Sequence, residues 1–235
     1  MRSYVEIDPS AGEARGNRVD LEEVWRIREE EVYQRLFGPV SRGIFPLSQE
    51  LFDKRFRQRD VDPRWLFLGI LEFPPTSVRS SWLYVTSGYS NSWNEEPQFY
   101  NPTGDSGAGI EFTFAVSEQG DWAIETLQSL LAFDLLLSAG RFPNRLPLSV
   151  NDRIPLGGPI NGSSACEIRN VVMVKPEQIP PEFSLPSGRV QFAGFTGVTD
   201  SELAFAKAHS SEELIGRLRD AGYHPVTNPH RRTLN

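Results

Sequence analysis

The chain has 235 residues, 39% of them hydrophobic and 11% aromatic, enough to bury a substantial core. Its 24 Lys and Arg against 31 Asp and Glu give a net charge of −7, which repels a phosphate backbone and argues against nucleic acid as the principal partner. A lone cysteine, Cys166, excludes an intrachain disulfide, and the opening MRSYVEIDPSAGEARG has no apolar stretch of signal-peptide length, so a reducing, cytoplasmic setting is expected.

Residues 1–19, charged and poor in apolar side chains, are expected to form a loose arm ahead of one domain over 20–235. The first helix is VDLEEVWRIREEEVYQRLFG, started by Asp20 with Glu23 and stopped by Gly38-Pro39, with Leu21, Val24, Trp25, Val32 and Leu36 as its inward stripe. KRFRQRDVDPR at 54–64 is the densest basic run; the interleaved Asp60 and Asp62 make it a solvated helix face or loop before an anion site. WLFLGILEFPP and SSWLYVTSGYSN read as strands. IEFTFAV alternates Ile110, Phe112, Phe114 and Val116 with Glu111, Thr113 and Ala115, the pattern of a strand covered on one face.

DWAIETLQSLLAFDLLLSAG reads as the central buried helix, with Asp121 as N-cap and Asp121, Glu125 and Gln128 as its wetter stripe. Its apolar run is about half a membrane span and is broken by Asp134, so no membrane is expected. The Pro-, Gly- and Asn-rich stretch beyond it reads as irregular, with a short strand near Pro147–Val150. ACEIRNVVMV and GRVQFAGFTGV are two further strands, joined by KPEQIPPEFSLPS. TDSELAFAKAH and SSEELIGRLRDAG are helices with capping-box starts at Thr199 and Ser210, and the tail YHPVTNPHRRTLN is too polar for a core. With no repeat and no dividing linker, the fold class is α+β.

GDSGAG at 104–109 carries three readings: a serine nucleophile, a phosphate loop, or a turn into a strand. Ser106 has no histidine upstream; His209, His224 and His230 all lie near the C-terminus, and no acid–base set is in evidence. The loop opens a strand, whereas phosphate loops open helices, and no Gly-Lys-Ser/Thr comes after it. His224 and His230 with the single Cys supply no zinc pattern. Neither a catalytic set, a metal nor a cofactor is therefore expected.

SGAGIEFTF followed by WAIETLQSLLAF resembles the Suppressor of fused (Sufu) family, as do WLYVTSGYS before the strand, GRVQFAGFTGVTDSEL after it, and Arg231-Arg232 in the tail. The resemblance covers roughly residues 20–232 and implies an α+β domain like the Sufu N-terminal domain, with a mixed, largely antiparallel sheet and packed helices. It implies a non-enzymatic protein-recognition module. Animal members use this domain with a second lobe to hold an extended peptide of a zinc-finger transcription factor by strand addition; stand-alone bacterial members look like immunity proteins that neutralise toxins.

By position in those motifs, Tyr84, Gly88, Gly109 and Glu111 fall at or beside the family's partner-binding groove. On residue pattern alone, Glu111 faces either a partner or plain solvent, and Tyr84 either the groove or the core. The chain lacks the second lobe, which points to a bacterial-type protein with another protein as partner, a basic toxin or an extended peptide. The rival reading is a small-ligand binder or enzyme using Asp105, Glu111, Trp82, Trp93 and Tyr100.

Overall fold

A computed structural model describes residues 20–234; the expected arm at 1–19 lies outside the described residues. Asp20 accepts the Glu23 amide at 2.9 Å and starts α1 (Leu21–Arg26), which runs on as a π-helical segment (Ile27–Tyr33) and α2 (Gln34–Phe37) before Gly38 turns the chain at φ +88°. The i→i+5 bonding of the π segment rotates the helical residues beyond it. Val24 and Val32 of the expected stripe are buried, with Arg28 and Tyr33, and the π step moves the next inward position from Leu36 to Phe37; Leu21, Trp25 and Leu36 are half-buried. The 54–64 run spans the end of α3 (Gln49–Phe56) and a turn, where Lys54, Arg59 and Arg64 are paired with Glu50, Asp53 and Asp62.

The sheet comprises β1 (Phe45–Pro46), β2 (Gly69–Phe73), β3 (Trp82–Ser87), β4 (Asp105–Val116), β5 (Arg153–Pro155), β6 (Ile168–Val174), β7 (Glu182–Leu185) and β8 (Gly188–Thr199). Its order is β1-β2-β3-β4-β8-β6-β5, with β7 added on β8. Among the eight named strands only β4 and β8 pair in parallel; their other pairings are antiparallel, so the fold is the mixed α+β architecture expected.

Helices cover both faces. α4 (Asp121–Ser138) packs its Leu127, Leu130 and Leu131 with Tyr84, Phe112, Phe114 and Phe195 on one face. The α1–α2 rod packs with Leu83, Val85, Phe183 and Phe192 on the other, beside α5 (Asp200–Ala208) and α6 (Ser211–Asp220), which cover β6 and the end of β8. No described helix is long and apolar enough to cross a membrane.

Five expectations are corrected. WLFLGILEFPP begins as a 3₁₀ turn (Pro63–Phe67), because the Asp62 side chain accepts the Arg64 amide and Pro63 opens the turn; only Gly69–Phe73 is strand. Gly120, not Asp121, caps α4, and Asp121 instead meets Arg42 at 2.7 Å. The short strand lies at Arg153–Pro155, where β6 offers a partner, and not at Pro147–Val150. KPEQIPPEFSLPS contains β7, whose Phe183 and Leu185 are buried. The tail is packed: the Thr227 amide donates to Ala115, its hydroxyl accepts the Gly197 amide at 2.8 Å, and Arg231 is buried on Glu202. Polar residues enter a core when every donor finds an acceptor, and composition alone does not reveal this.

Candidate functional site

The motifs SGYSN and GDSGAG meet in one buried polar cluster. β3 stops pairing with β4 at Val85–Thr113, and beyond that point the Thr86 hydroxyl takes over, accepting the Phe112 amide at 2.7 Å and donating to the Glu111 carboxylate. Glu111 also accepts the Gly88 amide at 3.1 Å, the Ser90 amide at 2.9 Å and the Ser90 hydroxyl at 2.6 Å. Arg28, reaching in from the π segment, lies 4.0 Å from Glu111 and donates to Ser87, Ser90 and Asn91. Burial pushes the Glu111 carboxyl above its ordinary value, while the Arg28 charge and the hydroxyl donors oppose that rise.

Glu111 is thus 0% exposed, so it faces neither solvent nor, directly, a partner, the two readings its residue pattern left open. The second face of β4 is covered by the helical rod, so alternation of polar residues marks a second buried layer here. Tyr84 is a core residue on the face packed by α4; its hydroxyl donates to Glu72 at 3.0 Å and accepts the Gly120 amide at 3.1 Å. Burial pushes its phenol up. Glu72 is in turn held by the Nε and Nη2 donors of Arg42 and by Gln119.

Gly109, at φ +68°, lies where the β4–β8 register shifts between Asp105 and Ile110. Ser106 is fully buried, donates to the Ser90 carbonyl at 2.7 Å and lies 2.6 Å from the Ser187 hydroxyl. None of the three histidines neighbours it: His209 stacks on Phe205, His224 bonds Thr196 and His230 meets Glu118.

Gly107 shows why the turn needs its glycine. At φ +55°, a Cβ there would lie 2.5 Å from the Asn91 carbonyl oxygen. Gly107→Ala is expected to cost about 2–4 kcal/mol from left-handed strain plus a backbone clash, lowering Tm by on the order of 10 °C. Gly157→Ala, at φ +84° with nothing within 4 Å, is expected to cost only the strain, about 1 kcal/mol. Equal Tm changes in a thermal melt of the two variants would refute the close-packing argument.

Above this cluster is a hollow of about 280 Å³ lined by Gly88, Asn91, Gly107, Trp65, Trp93 and the Arg64–Asp62 pair, with Glu95 at its edge. Trp93 packs edge-on against Trp25 of α1 at 5.6 Å and lies 6.2 Å from Phe67, which is 64% exposed. Phe99 is 71% exposed, and Glu22, Glu95 and Glu96 are exposed carboxylates on the same segments. The turns at the end of the sheet therefore present the Phe67–Trp93 ring pair beside the Glu95 carboxylate, on a backbone fixed from beneath.

Of the four candidate residues, Gly88 lines this hollow, Glu111 supports it from below through the Gly88 amide, Gly109 follows the lining residues Gly107 and Ala108 in the chain, and Tyr84 stands apart. Of the groups named for a ligand-binding or catalytic cleft, Trp93 alone lines it; Asp105 is exposed and Glu111 sealed, so the two carboxylates share no open cleft. Sequence reasoning missed Arg28, whose one signal is a charge on the inward side of the first helix. Among the described residues no group of His, Cys, Asp or Glu could hold a metal ion.

The Suppressor of fused protein (SUFU) family model matches residues 65–232. No curated protein matches the chain. Among solved structures, the fold is similar to Drosophila Suppressor of Fused (TM-score 0.54, 22% identity), over 71% of this chain and 42% of that one. The chain thus spans about two-fifths of the Drosophila protein. It is also similar to a chain of a Sufu–Fu complex (TM-score 0.61, 18% identity, 88% of this chain and 89% of that one). A SUFU homolog from Neisseria gonorrhoeae matches at TM-score 0.57 and 18% identity, over 89% of this chain and 96% of that one.

Proposed function

The chain belongs to the Suppressor of fused family, and from that premise we propose that it is a non-enzymatic interaction module whose partner is a basic protein, such as a toxin that it neutralises. The observation that carries this reading is the face around Trp93. Exposed Phe67 beside Trp93 supplies the apolar anchor that interfaces concentrate, and Glu95 at its edge, with Glu22 and Glu96 on the adjoining segments, supplies carboxylates complementary to Lys and Arg. The net charge of −7 adds long-range attraction for a basic partner. Gly88, Gly109 and Glu111 act as positioning residues that hold the turn beneath this face in one shape before the partner arrives, which lowers the ordering cost of binding. Tyr84 fixes the entry to α4 and contributes through the scaffold.

The immunity role is tested by co-expressing the chain with the product of a neighbouring toxin-like gene. The expected result is a complex stable to gel filtration and rescue of growth. Absence of both would sink the toxin-neutralising version.

A further inference from the structure

A larger concave surface, about 750 Å³, lies between α3, α4, β5 and the 144–149 segment. Leu130, Phe133 and Leu137 of α4 run along its floor, and Phe56 of α3 stacks on Phe133 at 6.1 Å. From Leu130 to Leu137 this apolar stripe extends roughly 10 Å at 1.5 Å per residue. Leu146, 85% exposed, stands at its edge.

Its charge is opposite to that of the chain. Arg55, Arg145 and Arg153 line it against one carboxylate, Asp152, which already accepts the Ser149 amide at 2.8 Å. Among the described residues none of these three guanidiniums meets a carboxylate; Arg55 bonds the Leu156 carbonyl at 3.0 Å and Arg153 the Ala206 carbonyl at 2.8 Å. They come from three separate elements, and those two anchors hold them apart. A small acid would need them to converge on one point. β5 is a poor template for an added strand, since it has three residues and Pro155 lacks an amide hydrogen.

We propose that this hollow is a second binding surface, taking an acidic amphipathic helix of a partner protein. The helix lays its apolar side along α4 and its flanking Asp and Glu meet the three arginines. The inference does not depend on the aromatic face around Trp93.

The test is fluorescence anisotropy of a labelled designed helix with leucines on one face and flanking glutamates, alongside its Lys-for-Glu counterpart. Binding of the acidic helix is expected to be about tenfold tighter than that of its counterpart, and to fall about tenfold in an Arg145→Glu/Leu146→Asp variant whose melting temperature is unchanged. Phe67→Ala is expected to leave it unaltered. The proposal is overturned if the acidic helix does not bind, if both helices bind alike, if the double variant binds normally, or if oleate binds with this dependence on Arg145 and Leu146 while the helix does not.

Discussion

Glu111→Ala is expected to destabilise the protein by about 3–5 kcal/mol, a large share of the roughly 5–15 kcal/mol that holds a typical domain together. The loss has two sources. Arg28, 1% exposed, would keep its charge with only the partly exposed Glu29, 3.5 Å away, to answer it. The amides of Gly88 and Ser90 and the hydroxyls of Thr86 and Ser90 would lose their acceptor away from water. Urea unfolding measures the total, and Glu111→Gln, which keeps the shape but replaces one acceptor with a donor, is expected to cost about 1–3 kcal/mol. In the Gln variant, hydrogen exchange at the Gly88 and Ser90 amides is expected to quicken before that of α4. A loss below about 1 kcal/mol in the Ala variant would mean that the cluster does not hold the turn.

Arg231→Ala is the second large expected effect. Its guanidinium donates to both Glu202 oxygens at 2.7 Å, to the Gly197 carbonyl at 2.9 Å, and lies 4.9 Å over the Tyr223 ring. Removing it strands a carboxylate that is 3% exposed, at a cost of about 3–5 kcal/mol. Burial alone would raise the Glu202 value, but Arg231 and the Thr199 and Leu234 amides hold it below the ordinary 4.5. A folded value below the unfolded one means that this stability is present above pH 4.5 and is lost as pH falls through the folded value. The gap between wild type and Arg231→Ala is therefore expected to be widest near neutrality and to narrow below pH 4.5 in urea titrations at stepped pH. A gap that does not vary with pH would contradict the ion-pair account.

Three helix starts were legible because capping is local: Asp20, Thr199 and Ser210 each accept the amide three residues on, with the reciprocal capping-box bond formed at Thr199, whereas the start of α4 has no side-chain cap to read. The strand after GDSGAG was legible too, although it begins at Asp105 and carries the glycines inside a register shift. What sequence could not supply was which faces are covered twice. Alternation in IEFTFAV separates two kinds of side chain, but only the fold reveals that the Glu111 side lies under Arg28. The same limit hid the packed tail, where Thr227 and Arg231 satisfy β4 and β8 from positions far apart in the chain. The Trp65–Trp93 hollow was illegible for a related reason: its residues come from three turns, two of them tied together by Glu111 and Ser106 and the third joined by the Arg64–Asn94 bond.

The most direct measurement is the affinity of the proposed basic partner for wild type, Phe67→Ala and Glu95→Lys, by calorimetry at low and high salt. Both substitutions lie on exposed residues, so unchanged melting temperatures would confirm intact folds. The account predicts that each weakens binding about tenfold or more, and that Glu95→Lys also flattens the salt dependence. Wild-type affinity in both variants would contradict the assignment of the aromatic, acid-rimmed face as the contact surface.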